Sequence, residues 1–217
     1  FIPLYEDLGI HRKQADSIRP SDVKEQITDP ILISLYEKQK AFSQFALAEE
    51  NYKWIEHATT LIYGVIRQGG KVFICGNGGS LCQAMHFAEE CTGRFRKDRQ
   101  PLPVIALSDA SHITCVANDF GFNQVFARPI QALGKPEDLL IVLSTSGNSP
   151  NIIQAVDTAN DKPMKVIGLL GRDGGKIRCK CDLYLIAPGE TSDTIQEIHQ
   201  VVLHLLVEGI ERKMGLI

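Results

Sequence analysis

Residues 71–80 read KVFICGNGGS and residues 139–150 read LLIVLSTSGNSP. Each stretch begins as an unbroken apolar run of strand length. Such runs belong to parallel strands covered by helices on both faces, because half-exposed strands alternate apolar with polar residues. Each run ends in glycine and hydroxyl residues and passes into an amphipathic stretch, so each reads as strand, tight turn, helix. Working outward, further apolar strands fall at 103–107, 165–170 and 183–186, and helical periodicity returns at 79–92, 112–117, 123–133, 149–160 and 192–213. This alternation predicts an α/β protein with a doubly wound, five-stranded parallel sheet flanked by helices. Upstream, Phe42, Phe45, Trp54, Ile55, Ala58 and Ile62 recur at helical spacing. Residues 31–67 are therefore expected to form two long helices divided near Glu50-Asn51, the second stopped by Gly69-Gly70. Residues 1–30 are polar, with Pro3, Pro20 and Pro30, and read as an N-terminal extension ahead of a single domain over 31–217.

The 217 residues carry a formal net charge of -3, with 44% hydrophobic and 23% charged residues. That balance excludes a global basic field for nucleic acid or an anionic membrane, so a phosphorylated ligand must be held by loop amides and hydroxyls. No apolar run approaches the roughly 20 residues of a membrane span. The six cysteines show no CxxC pair or zinc-finger spacing, and the first residues lack an export-leader pattern. A cytoplasmic protein with reduced thiols is the expectation. Cys75, at the end of a strand, reads as core; Cys179 and Cys181 have only a weak claim to be a redox or metal pair.

The loop at 76–80 brings backbone amides close to an anion at a helix N-terminus. It lacks the third glycine of the dinucleotide fingerprint, since Leu81 stands there, which weighs against a nucleotide-binding oxidoreductase. In the loop at 144–149, Ser149 and Pro150 read as N-cap and first helical residue. Those two do not account for Ser144, Thr145 and Ser146, and hydroxyls with loop amides make an uncharged phosphate cup. Ligands of open parallel sheets bind beyond the strands' carboxyl ends where strand order reverses, so the two loops are expected to grip one sugar phosphate between them.

His86 and Glu90 are four apart and share a helix face. On the closing helix, Gln196 and His204 are eight apart, about 80° around the axis, on one broad face. A His/Glu/Gln/His set has the donors for a divalent metal such as zinc, or supplies a carboxylate base and an imidazole acid without metal; the residues alone leave both open.

The stretches CGNGGSLCQAMHFAEECTGRFR (75–96), SDASHITCVANDFGFNQVFAR (108–128), STSGNSPNII (144–153), GRDGGK (171–176) and TIQEIHQVVLH (194–204) resemble the phosphoheptose isomerases, members of the sugar-isomerase (SIS) domain superfamily. The likeness runs in order over roughly residues 40–213. It implies a flavodoxin-like three-layer sandwich and the isomerisation of sedoheptulose 7-phosphate to a heptose 7-phosphate through an enediol. It further implies Glu90 and His204 as the acid–base pair. Substrate contacts would come from Asn77, Gly78, Gly79, Ser80, Asn118, Asp119, Ser144, Thr145, Ser146, Ser149 and Gln196. His86, Glu90, Gln196 and His204 would hold zinc, one per subunit, in a homotetramer with sites built across subunits. Neither nucleic acid nor membrane is an implied partner. The sequence departs from the family pattern at Gln83, Cys91 and Thr194. A non-catalytic SIS regulator that binds a sugar phosphate or a protein is the alternative; the presence of His86, Glu90 and His204 weighs against it.

Overall fold

The computed structural model describes residues 28–217, so the expected extension lies, up to residue 27, outside the described residues. The chain divides into two compact units, residues 1–40 and 41–217. Helix α1 (Pro30–Leu47) begins within the first, where the Asp29 carboxylate accepts from the amides of Ile31 (2.8 Å) and Leu32 (3.1 Å). Those bonds satisfy two of the amide donors that a helix start leaves orphaned.

The second unit continues with α2 (Glu49–Arg67), β1 (Val72–Gly76), α3 (Gly79–Thr92), β2 (Val104–Ala106), α4 (Ala110–Phe120), α5 (Ala127–Leu133), β3 (Leu139–Ser144), α6 (Pro150–Asp161), β4 (Lys165–Gly171), β5 (Leu183–Ala187) and α7 (Ser192–Lys213). All strands are parallel, in the order β2-β1-β3-β4-β5. The chain leaves β1 outward to β2 and returns on its other side to β3, so the topological switch lies between β1 and β3. The two glycine–hydroxyl loops leave those two strands. The sheet thus presents them side by side where an open parallel sheet binds ligand.

Alternate residues of each strand enter opposite cores. Val72, Ile74, Leu139, Ile141, Leu143, Ile167 and Leu169 pack with α2, α3 and α7. Phe73, Cys75, Leu140, Val142, Val166 and Leu170 pack with α4, α5 and α6. Burial on both faces explains the unbroken apolar runs. Burial also pushes the Cys91 thiol up to about 12 and the Cys75 thiol higher still, so both are inert core groups. Cys179 is exposed and Cys181 partly so, both as free thiols.

Three expected boundaries move. The break between the first helices falls at Ala48, two residues before Glu50. The stretch at 112–117 is part of a longer helix, because Asp109 caps it by accepting from the His112 amide at 2.6 Å. The stretch at 123–133 is two elements, a single 3-10 turn at Phe122–Gln124 and then α5. Gly121, at φ 87°, sets that turn off from α4 in a backbone region that glycine enters without strain.

His199 of α7 is fully buried, with Nε2 3.0 Å from the Leu170 carbonyl and Nδ1 without a partner. Desolvation pulls it down to about 4, against a weaker opposing effect of the Leu170 bond, from an ordinary 6.5. Above pH 6.5 the ring is neutral whether the chain is folded or not, and the full stability is present. As pH falls toward 4 the unfolded chain gains a proton that the folded one refuses. About 3 kcal/mol of stability should drain away across that window. Urea midpoints between pH 7 and 4.5 test this: His199→Gln should flatten the dependence, and an unchanged slope would remove His199 as its source.

Candidate active site

Helix α3 begins abruptly. Gly76 admits no side chain, since a Cβ there would meet Ser80 Cβ at 2.7 Å and the Ser80 backbone at 2.9 Å. Gly78, at φ 54°, turns the chain into the helix. Ser80 is buried, and its hydroxyl accepts from Gln196 Nε2 at 3.3 Å. The Gln196 carboxamide lies over Gly79, where a Cβ would meet its Oε1 at 2.7 Å. From the next turn of α3, Gln83 Nε2 donates to the Gln196 carbonyl at 2.6 Å. These contacts bring the N-terminal ends of α3 and α7 together.

In the loop after β3, the buried Ser144 hydroxyl accepts from the Gly147 amide at 3.0 Å, and Ser146 Oγ from the Asn148 amide at 3.2 Å. Thr145 Oγ1 lies 3.1 Å from Ser192 Oγ at the start of α7. Ser149 occupies the N-cap position with Pro150 first in the helix, as expected, but its hydroxyl makes no capping bond. The loop is braced from behind by residues 172–177: the Ile177 amide donates to the Gly147 carbonyl (3.1 Å) and the Lys176 amide to Asn148 Oδ1 (3.2 Å). The contact is so close that a Cβ on Gly147 would lie 1.9 Å from the Gly174 carbonyl oxygen.

Farther along the same two helices, His86, Glu90 and His204 converge. Glu90 Oε1 lies 3.1 Å from His86 Nε2 and 3.5 Å from His204 Nε2, and the two ring nitrogens are 3.4 Å apart. Glu90 is buried, and its second oxygen, Oε2, has no partner. A tetrahedral zinc bound at about 2.0–2.1 Å holds its donors about 3.3–3.4 Å apart. The three spacings, the two nitrogens and a carboxylate, and an orphaned buried oxygen beside them all suit such an ion.

The sequence-expected residues do not all gather here. Gln196 sits about 12 Å back along α7 from His204, on the Ser80 side. The amide that touches the cluster is Gln200, whose Nε2 is 2.9 Å from His204 Nε2. Asn118 and Asp119 are exposed at the end of α4. Asn118 Nδ2 bonds Asp119 Oδ1 at 2.7 Å and Cys115 Sγ bonds Asp119 Oδ2 at 3.5 Å, with no hydrogen bond to either loop or to the cluster among the described residues. Phe95 stacks on His204, ring centroids 6.0 Å apart, and was not singled out from sequence. Gln200 was findable, because it precedes His204 by four on the same helix face; Phe95 follows a helix end and gave no periodic signal.

Residues 36–171 match the SIS domain family. A phosphoheptose isomerase of Fusobacterium nucleatum is 50% identical over 184 residues, 84% of this chain and 95% of that protein. One from Glaesserella parasuis is 49% identical, over 85% of this chain and 97% of its own length. The chain belongs to the phosphoheptose isomerase family. Solved structures agree: a phosphoheptose isomerase from Francisella tularensis superposes with a TM-score of 0.80 at 38% identity, covering 84% of this chain and 96% of its own. A second phosphoheptose isomerase, from Neisseria gonorrhoeae, gives 0.78 at 36% identity, over 84% and 97% of the two chains. With the phosphoheptose isomerases, then, this chain is a sugar-phosphate isomerase of SIS fold. Among its described residues no helix is long and apolar enough to cross a membrane.

Proposed function

We propose that the chain interconverts sedoheptulose 7-phosphate and D-glycero-D-manno-heptose 7-phosphate, feeding heptose precursors to lipopolysaccharide or capsule. The observation that carries this reading is the meeting of a buried carboxylate and an imidazole, Glu90 and His204, on α3 and α7, the two helices whose N-terminal ends lie against the phosphate-type loops at a topological switch. The phosphate is held by Ser144, Thr145, Ser146 and Ser149. The carbon chain lies along Asn77, Gly78, Gly79 and Ser80, with Gln196 reaching it from α7.

With the open-chain ketose bound, Glu90 accepts a proton from the carbon beside the carbonyl while His204 protonates the carbonyl oxygen, giving the enediol. Glu90 then delivers its proton to the former carbonyl carbon, while the hydroxyl on the carbon first deprotonated gives its proton to the imidazole and that carbon becomes the aldehyde. The aldose results, and both side chains are restored. His86 orients Glu90 through the 3.1 Å contact, and Phe95 fixes the plane of His204. Zinc, one per subunit, would be held by His86, Glu90 and His204, and would supply electrostatic stabilisation of the developing oxyanion.

We further infer a cytoplasmic homotetramer. Asn118 and Asp119 stand away from the cluster of their own protomer, and Met85, Phe120 and Phe122 are exposed apolar side chains nearby in sequence to α3 and α4 residues of the site. Contact of Asn118 and Asp119 with substrate would then be made in a neighbouring subunit. Incubation with sedoheptulose 7-phosphate, followed by NMR with and without a chelator, tests the reading. It predicts new aldose signals that vanish with the chelator and return with zinc; no aldose under any of these conditions would contradict it.

A further inference from the structure

The two substrate loops are joined by a side-chain link that the chemistry above does not use. Asn77 Nδ2 donates to Asn151 Oδ1 at 2.9 Å, and Asn151 Nδ2 donates back to Asn77 Oδ1 at 2.7 Å. Asn151 Oδ1 also accepts the Ile152 amide at 3.0 Å, which fixes which way its carboxamide faces. Asn151 is only 2% exposed, in the first turn of α6 directly behind the phosphate loop. Asn77 follows β1 and opens the loop assigned to the carbon chain. Among the described residues no other side-chain hydrogen bond joins the loop at 76–80 to the segment at 144–151. The strands beneath pair only as far as Gly76 and Leu143, so the sheet itself does not set the spacing of what lies beyond.

We propose that Asn151 is a specificity-determining positioning residue: its reciprocal bonds to Asn77 fix the separation of the two loops and thereby the length of sugar phosphate that the site isomerises. This rests on the reading of both loops as one substrate site. A phosphate anchored in one loop and a reacting carbon aligned by the other tolerate little error, because a displacement of about 1 Å at the reacting atoms is enough to cost some 10²-fold in rate. The amide pair holds that distance from two directions. The pair engages one N–H and one oxygen lone pair of the Asn77 carboxamide, leaving its second N–H and the backbone of residues 77–79 for the substrate.

The test is kinetic, with seven-carbon and six-carbon 2-ketose phosphates as paired substrates and inorganic phosphate as competitor. Asn151→Leu keeps the branched shape and removes both bonds to Asn77, together with the acceptor of the Ile152 amide. It should lower kcat/KM for the seven-carbon substrate and raise the six-carbon to seven-carbon ratio by about tenfold or more, the scale on which one carbon unit is discriminated. Inhibition by inorganic phosphate should stay within about twofold of wild type, because the phosphate loop keeps its own bonds and its brace. Asn77→Ala, at a half-buried loop position, is the second variant should Asn151→Leu fold poorly. It should shift the ratio the same way, and the double variant should shift it no further than the single ones. A ratio unchanged while both substrates slow together would overturn the proposal and leave Asn151 as scaffolding. A wild-type chain that turns over neither substrate would instead overturn the reading of the site itself.

Discussion

Replacing Glu90 with glutamine is expected to lower kcat for the seven-carbon ketose phosphate by about 10²–10⁴-fold while KM stays within about threefold. The amide has the size and shape of the carboxylate but cannot accept a proton from carbon. It also removes the negative charge that both histidines face across 3.1 Å and 3.5 Å. The substrate's phosphate and hydroxyl contacts come from other residues, so ground-state binding should survive. Steady-state kinetics together with titration of a non-reacting sugar phosphate would separate the two effects. Turnover within tenfold of wild type would remove Glu90 as the base. Equal loss of binding and turnover would make it a binding residue only.

The second large effect is expected at Arg99, on stability. Its side chain is 1% exposed and paired with Glu211, which is fully buried, at 3.0 Å. It also donates to the carbonyls of Cys91 (2.7 Å) and Glu90 (2.6 Å), two of the orphan acceptors at the end of α3. Arg99 thus ties the last turn of the helix that bears Glu90 to the last turns of the helix that bears His204. Arg99→Met would strand the Glu211 charge and unpair both carbonyls, which should cost about 3–5 kcal/mol. Converting the pair together, Arg99→Met with Glu211→Leu, should recover much of that, since the unpaired buried charge is then gone. Urea unfolding of wild type, single and double variants measures it. A single variant within 1 kcal/mol of wild type would mean that the contact is worth little in solution.

The strands were legible because burial on both faces leaves little room for polar residues: β3 is apolar up to its last residue, Ser144, and β4 is apolar after the exposed Lys165, and their bounds fall within a residue of those read from sequence. β2 was less so. It is an edge strand in which only Val104–Ala106 pair and Ile105 is exposed, and pairing there is shorter than the apolar run suggested. The pairing of His86 with Glu90 followed from helical spacing alone. Their meeting with His204 depends on how α3 and α7 lie along one another, which spacing within either helix does not encode. The same holds for Arg99, whose partners are 8, 9 and 112 residues away, and for Asn151, which meets Asn77 across 74 residues. Ser149 shows the opposite case. A local rule placed it correctly at the helix start, yet its hydroxyl does not cap; the hydroxyls that bond loop amides are those of Ser144 and Ser146, around the turn at Gly147.

The departures from the family pattern prove internal. Gln83 and Thr194 are buried, the first against the α7 backbone and the second 3.0 Å from Thr191 Oγ1, and Cys91 is core. Among the described residues none of the three side chains makes a hydrogen bond to the His86–Glu90–His204 cluster.

The most direct test of proton transfer between Glu90 and the substrate is isomerisation in D₂O, followed by ¹H NMR and mass spectrometry of recovered ketose and aldose phosphate. Removal of a carbon-bound proton to a solvent-exchangeable carboxylate predicts deuterium at the carbon beside the carbonyl in wild-type reactions, and none above background with Glu90→Gln. Aldose formed with full retention of the carbon-bound hydrogen, or deuterium incorporated equally by the glutamine variant, would contradict it.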